Sequence, residues 1–361
     1  MTESPPRAWA EIDLEALRLN LQVARDRSEQ EVMAVIKGGA YGHGLLEVAR
    51  VLDEESLPFL GVADAGEARQ LFEGGIRTRP YILGATLPSE REEIAARQWT
   101  PCLCSFQDIE HFNRLGKDSP VEAHLALDTG MGRGGFLPDQ LGPALDKLKT
   151  ATGIRLTGVG SHLPVADEDA GFTRAQFELF DSLVESIEKP QGTFHIHLSN
   201  SAGLLEFQSR TTNLVRPGLL LYGISPFPEW QKLLKPVMAL KTRVSVINHL
   251  PAGHGVSYGR TLLNRDTKAA ILGLGYGDGY PRALSGRDAQ VLVNGTPCPL
   301  LGRVTMDQII VDVSELPDCH PGDEAVLFGE DLLVSEIAEK AGTIAWEVLT
   351  QITPRAARLY R

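Results

Sequence analysis

The chain reads as an α/β protein, an N-terminal (β/α)8 TIM barrel followed by a C-terminal mostly-β domain. Three observations predict this. Between residues 30 and 222, short apolar runs alternate with longer charged stretches of helical period; unbroken apolar runs suit strands buried on both faces, and their alternation with helices gives a parallel sheet. Eight such units in about 200 residues match a closed barrel. Beyond Pro226 and Pro228 the texture changes to alternating, hairpin-like sequence, the mark of antiparallel β structure.

The eight apolar runs are Val32–Ile36, Phe59–Ala63, Tyr81–Leu83, Pro101–Cys104, Ala123–Leu127, Leu156–Val159, Phe194–Leu198 and Leu219–Tyr222. Helices fit Asp13–Ala24, Gly66–Phe72, Gln140–Leu148 and Phe172–Ile187, where apolar residues recur every third or fourth position,. In the second half Leu240–Ile247 alternates, and Gln290–Val293 leads into Asn294-Gly295, a strong hairpin signal,. Val304–Val313 and Ala325–Phe328 read as further strands and Leu332–Ala341 as a helix. These readings divide the chain into a barrel domain, residues 1–230, and a β domain, residues 231–361, with the first ten or so residues free to pair with the latter.

Composition narrows the function. Lys+Arg 35 against Asp+Glu 47 gives a net charge of −12, the wrong sign for a nucleic-acid binder. No apolar run approaches the roughly 20 residues of a membrane span, and Met1–Arg7 lacks the apolar segment of a secretory leader,, so a cytoplasmic protein is expected. Cys102, Cys104, Cys298 and Cys319 form no C-x-x-C pair and suit buried thiols in a reducing compartment.

In barrels of this kind chemistry sits just past the strands. Those positions hold Lys37, Asp64, Gly84, Ser105, Asp128, Ser161 with His162, Ser199 to Ser201, and Gly223. A lysine at a strand end, half desolvated, has a depressed pKa and becomes a nucleophile for carbonyls. Ser201, the amides near Gly218 and Leu219, and the Tyr41 hydroxyl are groups that can bind a phosphate. Alternating His195 and His197, with His162, also allow a rival reading, a metal-dependent hydrolase.

Lys37 to Gly44 resembles the core motif of the alanine racemase family, Lys-Ala-Asn-Ala-Tyr-Gly-His-Gly, with Gly38-Gly39 in place of Ala-Asn. Asp128-Thr-Gly-Met-Gly-Arg133, Ser161-His162, Asn200-Ser-Ala, Val215-Arg-Pro-Gly-Leu-Leu-Leu-Tyr-Gly223, Ser257-Tyr-Gly, Gly275-Tyr-Gly-Asp-Gly279 and Gly302-Arg-Val-Thr-Met-Asp-Gln308 follow in family order. The resemblance covers essentially the whole chain. It implies a homodimeric enzyme that interconverts L- and D-alanine with pyridoxal 5′-phosphate, for cell-wall synthesis. Lys37 then holds the cofactor and serves as one base, and Tyr258, from the other subunit, as the second. Tyr41, Ser201, Gly218 and Leu219 bind phosphate; His162 and Arg216 link Tyr258 to the pyridine nitrogen. Arg133, with the Met306 amide, meets the substrate carboxylate, and Tyr276 and Arg282 line the pocket and its access route. No metal is implied.

Three departures stand out. Ala126 occupies the place where many members have a carbamylated lysine that pairs with the arginine at Arg133, so an anion, a water or a polar side chain is expected there instead. Trp346 replaces a tyrosine that helps bind phosphate, which leaves serine or a broader substrate range as the alternative. Gly38-Gly39 makes the lysine loop more flexible. A non-catalytic cofactor carrier of related sequence would lack the β domain and Tyr258, and a fold-related decarboxylase would place an acid, not Arg216, at the pyridine nitrogen.

Overall fold

A computed structural model describes residues 6–190 and 192–361. Residues 1–5, which belong to the segment read above for a leader, and Gln191 lie outside the described residues. The chain forms two compact units: Arg18–Ala40 with Leu45–Leu234, and Met1–Leu17 with Tyr41–Gly44 and Lys235–Arg361.

The first unit is built on a parallel sheet. Its order is Glu31–Val32, Leu214–Val215, His195–His197, Ile154–Gly160, Val121–Ala126, Thr100–Leu103, Pro80–Ile82, Leu60–Val62 and Ala34–Val35. The two terminal segments are consecutive pieces of chain around Met33. The Met33 N–H donates to Val215 O and the Val35 N–H to Pro217 O, while Ile36 N–H donates to Gly61 O on the other side. One split strand therefore bonds both neighbours and the sheet closes as eight strands. Met33, Phe59, Tyr81, Cys102, Ala126 and Leu214 pack into one buried cluster, drawn from positions around that ring.

Two strand readings are corrected. Leu219–Tyr222 is a fully buried 3-10 turn, and the eighth strand is Leu214–Val215. An apolar run of four carries no period that separates a buried strand from a buried turn; the Ser201 hydroxyl decides, accepting from the Gly218 and Leu220 N–H groups at 3.1 and 3.2 Å. Of Val304–Val313 only Ile309–Asp312 is strand. Thr305 and Gln308 close a turn on each other (Thr305 N–H to Gln308 O, 3.1 Å), which lifts Met306 out of the sheet.

The polar residues past the strands divide by role. Asp64, Ser105 and Asn200 cap helices Ala65–Glu73, Phe106–Leu115 and Ser201–Glu206 through their side chains, the ordinary use of such residues at an N-terminus. Lys37 opens a different structure. Gly38 (φ 65, ψ 41), Gly39 (φ 63, ψ 40) and Ala40 (φ 55, ψ 50) run consecutively in the left-handed region, where a side chain costs about 1–2 kcal/mol per residue and glycine costs almost nothing. The glycine pair thus avoids the strain that side chains at those two positions would add to this left-handed turn,.

In the second unit, six strands form a ring in the order Thr267–Leu272, Ile309–Asp312, Thr296–Leu301, Gln290–Val293, Glu324–Phe328 and Met238–Leu250, the last pairing back on the first. Asn294 (φ 49) and Gly295 (φ 78) make the tight turn between two of them, both positive as a type I′ hairpin requires. Ala8–Ile12 adds antiparallel to Met238–Leu250 and parallel to Ala357–Tyr360. Among the described residues no helix is long and apolar enough to cross a membrane.

Candidate active site

The barrel unit gathers Lys37, Arg133, His162, Ser201, Arg216, Gly218 and Leu219 at the C-terminal ends of its strands. Burial lowers the Lys37 amine below the usual lysine range, and the cations of Arg133 and Arg216 lower it further against a smaller opposing pull from Glu67. More of it is then uncharged near neutrality than of an ordinary lysine, the state a nucleophilic amine needs. Glu67, which the sequence did not single out, fastens the turn: its carboxylate accepts the Gly39 N–H and the Ala63 N–H, each at 2.9 Å.

Arg216 is a buried cation, and among the described residues no carboxylate pairs with it. It donates instead to neutral acceptors: His197 Nδ1 at 2.5 Å, Ser161 O at 2.6 Å and His162 Nδ1 at 3.2 Å. An arginine only donates, which fixes the tautomers behind it. His197 Nδ1 must be bare and its Nε2 protonated, so that Nε2–H donates to His124 Nδ1 at 2.9 Å. Burial first, then nearby charge, holds both rings well below the ordinary histidine pKa. His162 is pushed down to about 3 by burial and then by Arg216, Arg133 and Lys37. All three imidazoles are therefore neutral at physiological pH. The metal reading loses its geometry here, since His197 and His162 both serve Arg216 while His195 faces Glu31 at 3.4 Å. Neither the Arg216–His197 contact nor the His197–His124 one could be assigned from sequence, because both depend on the order of strands in the sheet.

Asp128 shapes the loop that carries Arg133. Its carboxylate accepts from the Gly130, Met131 and Gly132 N–H groups at about 3 Å,. Arg133 itself is exposed. The polar side chain expected to replace the family's lysine beside it is not found among the described residues. Ala126 packs instead with Tyr81, Cys102 and Cys104.

Tyr41, Tyr258, Tyr276 and Met306 belong to the other unit. Tyr41 is buried, which pushes its phenol up to about 12, so it is a neutral hydroxyl. Tyr258 sits at the tip of the hairpin Gly255–Val256/Thr261–Leu262 and is 71% exposed. Ser257 Oγ ties that hairpin to Arg303 O at 2.6 Å. Tyr276 and Met306, 39% and 52% exposed, are brought together by backbone: Tyr276 N–H donates to Thr305 O and Gly277 N–H to Met306 O. Tyr258, Tyr276 and Met306 are thus among the large apolar side chains that this unit displays to solvent.

The residues fit pyridoxal 5′-phosphate. Lys37 offers a depressed amine, Arg216 a buried donor without a countercharge, and Ser201 with the opening of the Leu219–Tyr222 turn a cluster of hydroxyl and amide groups of the kind that holds phosphate,.

Family models agree across the chain. Residues 12–226 match the alanine racemase N-terminal domain and residues 237–360 the alanine racemase C-terminal domain. An alanine racemase of Methylacidiphilum infernorum is 38% identical over 99% of this chain and 93% of its own length. One of Carboxydothermus hydrogenoformans is 40% identical, covering 98% of this chain and 99% of its own. The crystal structure of alanine racemase from Streptomyces lavendulae superposes with a TM-score of 0.92 at 33% identity, covering 99% of this chain and 98% of that one. That from Bartonella henselae, with covalently bound pyridoxal phosphate, gives 0.91 at 28% identity, covering 99% of this chain and all of that one.

Proposed function

The chain belongs to the alanine racemase family, and from that premise we propose that it racemises L- and D-alanine with pyridoxal 5′-phosphate carried on Lys37. The observation that carries this reading is the buried guanidinium of Arg216, hydrogen-bonded only to neutral groups and close enough to Lys37 to depress its amine. A buried cation without a countercharge costs several kcal/mol unless a ligand compensates it, and a polar ring is such a ligand.

When bound, the cofactor withdraws electrons from the substrate Cα and so acidifies its proton. Inversion requires a proton taken from one face and returned to the other, and two fixed bases do this without turning the substrate. Lys37 Nζ serves one face and the partner subunit's Tyr258 the other, in a homodimer whose sites are shared. Arg216 never gives up its proton, so as a donor to the ring nitrogen it would leave that nitrogen unprotonated, and the ring would then favour reprotonation of Cα over side reactions. His162, kept neutral, passes the hydrogen-bonded chain on towards Tyr258. Arg133 fixes the substrate carboxylate with the Met306 amide. Tyr41, Ser201, Gly218 and Leu219 hold the phosphate, and Tyr276 lines the pocket. In the structure the Gly218 N–H already donates to Ser201 Oγ, so phosphate binding there engages Ser201 and Gly218 as a coupled pair. The barrel domain ends near residue 230, and the enzyme works in the cytoplasm, supplying D-alanine for the cell wall.

Borohydride treatment of the purified yellow protein, followed by peptide mapping, tests the first step, and a chiral assay with L-alanine tests the second. The reading predicts a label on Lys37 and a final mixture of both enantiomers. A label on another lysine, or L-alanine left unchanged, would overturn it.

A further inference from the structure

Tyr41–Gly44 folds with Lys235–Arg361, a part of the chain remote from it in sequence. Tyr41 (φ 53) sits in the left-handed region and Gly42 follows at φ 81. A bulky side chain in that region costs backbone energy and persists only where its surroundings enforce it. The enforcing groups come from the C-terminal end. A Cβ on Gly42 would stand 2.3 Å from Leu349 O, an approach that only glycine permits. The Gly42 carbonyl accepts Arg358 Nε–H at 3.1 Å and Nη2–H at 3.0 Å, and His43 Nδ1–H donates to Tyr41 O at 3.0 Å.

Arg358 spends its whole donor set there. Besides the bonds to Gly42 O, its Nη1 donates to Thr353 O at 2.6 Å and Ala356 O at 3.0 Å, and its Nη2 to Ile352 O at 2.5 Å. A guanidinium has five N–H groups in a rigid fork, and all are engaged. Every one of these partners is a backbone carbonyl, so the side chain acts as a planar brace rather than as half of a charge pair. The turn at its other end is fixed in turn: Thr353 N–H donates to Asp278 O at 3.0 Å and the Thr353 hydroxyl to Gly277 O at 3.0 Å.

We propose that Arg358 is a positioning residue for the cofactor: through Gly42 O it holds Tyr41 in the left-handed conformation from which the phenol meets the phosphate. This rests on the reading that Tyr41 binds phosphate, and it adds what keeps that phenol in place. Without the guanidinium, the Gly42 carbonyl loses two donors and the peptides around it are free to leave the left-handed region. A backbone rotation at Tyr41 displaces the hydroxyl at the far end of the side chain, and a hydrogen bond weakens steeply as it is misaligned. Lysine cannot take over the role, since one ammonium has three N–H groups on a single atom and no fork to span four carbonyls.

The test is a double-mutant cycle on the holoenzyme. Release of pyridoxal 5′-phosphate is timed by dialysis against a scavenger in the parent, Arg358→Met, Tyr41→Phe and the double variant, with phosphorus NMR of the bound phosphate alongside. Tyr41→Phe should speed release about tenfold or more, as the loss of one charge-assisted hydrogen bond implies. Arg358→Met should speed it by a similar factor when Tyr41 is present and by less than about twofold when it is phenylalanine. The phosphorus signal should move the same way in all three variants. Equal acceleration by Arg358→Met in both backgrounds, the mark of a merely structural brace, would overturn the proposal, as would release at the parental rate. Should the methionine variant not fold, Arg358→Lys serves instead: a smaller acceleration that vanishes with Tyr41→Phe supports the proposal, and one that persists overturns it. Parental release from Tyr41→Phe would refute the phosphate reading of Tyr41 and this inference with it, a result distinct from a failure of Arg358 alone.

Discussion

Replacing Arg216 by glutamine removes a unit charge 3.2 Å from His162 Nδ1 and should be read in the titration of that imidazole. Burial is the largest cause of its descent from 6.5 to about 3, and Arg216 the second. At 3.2 Å Coulomb's law gives about 1.3 kcal/mol with a water-like dielectric, or one pKa unit, and about 5 kcal/mol at a dielectric of 20. The larger figure exceeds the whole displacement and would leave no room for burial, so the smaller one governs. Arg216→Gln should raise His162 to about 4, whereas Arg216→Lys, which keeps the charge, should leave it near its parent value. Histidine-labelled protein titrated by NMR reads both. Stability follows with a definite sign. A folded-state pKa below the unfolded one means that the unfolded chain binds the extra proton, so stability falls as pH drops from 6.5 towards 3,. That loss reaches about 5 kcal/mol in the parent and about 1.4 kcal/mol less in Arg216→Gln. An unmoved His162 in the glutamine variant would refute the Arg216–His162 contact and the chain built on it.

Two glycines in the lysine motif should behave differently. Gly39→Ala meets no atom within 4 Å and carries only its φ of +63, about 1–2 kcal/mol of strain. Gly42→Ala would put its Cβ 2.3 Å from Leu349 O at φ +81 and should lower the melting temperature of the holoenzyme much more; equal effects would contradict the assigned backbone. Arg91→Met leaves the buried Asp108 carboxylate, 2.7 Å from the guanidinium, without its cation, an expected loss of about 3–5 kcal/mol in urea unfolding. Trp346→Tyr should slow cofactor release by a factor set by one regained hydrogen bond, about 0.5–1.5 kcal/mol, measured by dialysis against a cofactor scavenger.

Much of the barrel was legible because parallel strands buried on both faces write themselves as unbroken apolar runs, and seven of the eight runs overlap strands. Leu219–Tyr222 was not, since its turn is set by a hydroxyl some seventeen residues earlier in the chain,. Thr267–Leu272, a strand of the second ring, went unread although it is paired on both sides. Lys37 and Arg216 were visible as motif residues. The reason Arg216 sits uncompensated was not, because His197 and Ser161 reach it from the next two strands of the sheet, a neighbourhood that only the sheet order sets. His197 looked like a metal ligand when its tautomer is dictated by an arginine.

Mixing two inactive variants tests the shared two-base site most directly. Lys37→Ala and Tyr258→Phe proteins, unfolded together and refolded as dimers with cofactor, assort so that about half are mixed, and each mixed dimer with shared sites rebuilds one complete site. Recovery of about a quarter of the parental racemase activity is therefore expected when the lysine and the tyrosine come from different chains. No recovery, alongside full recovery of the parent carried through the same refolding, would contradict the account.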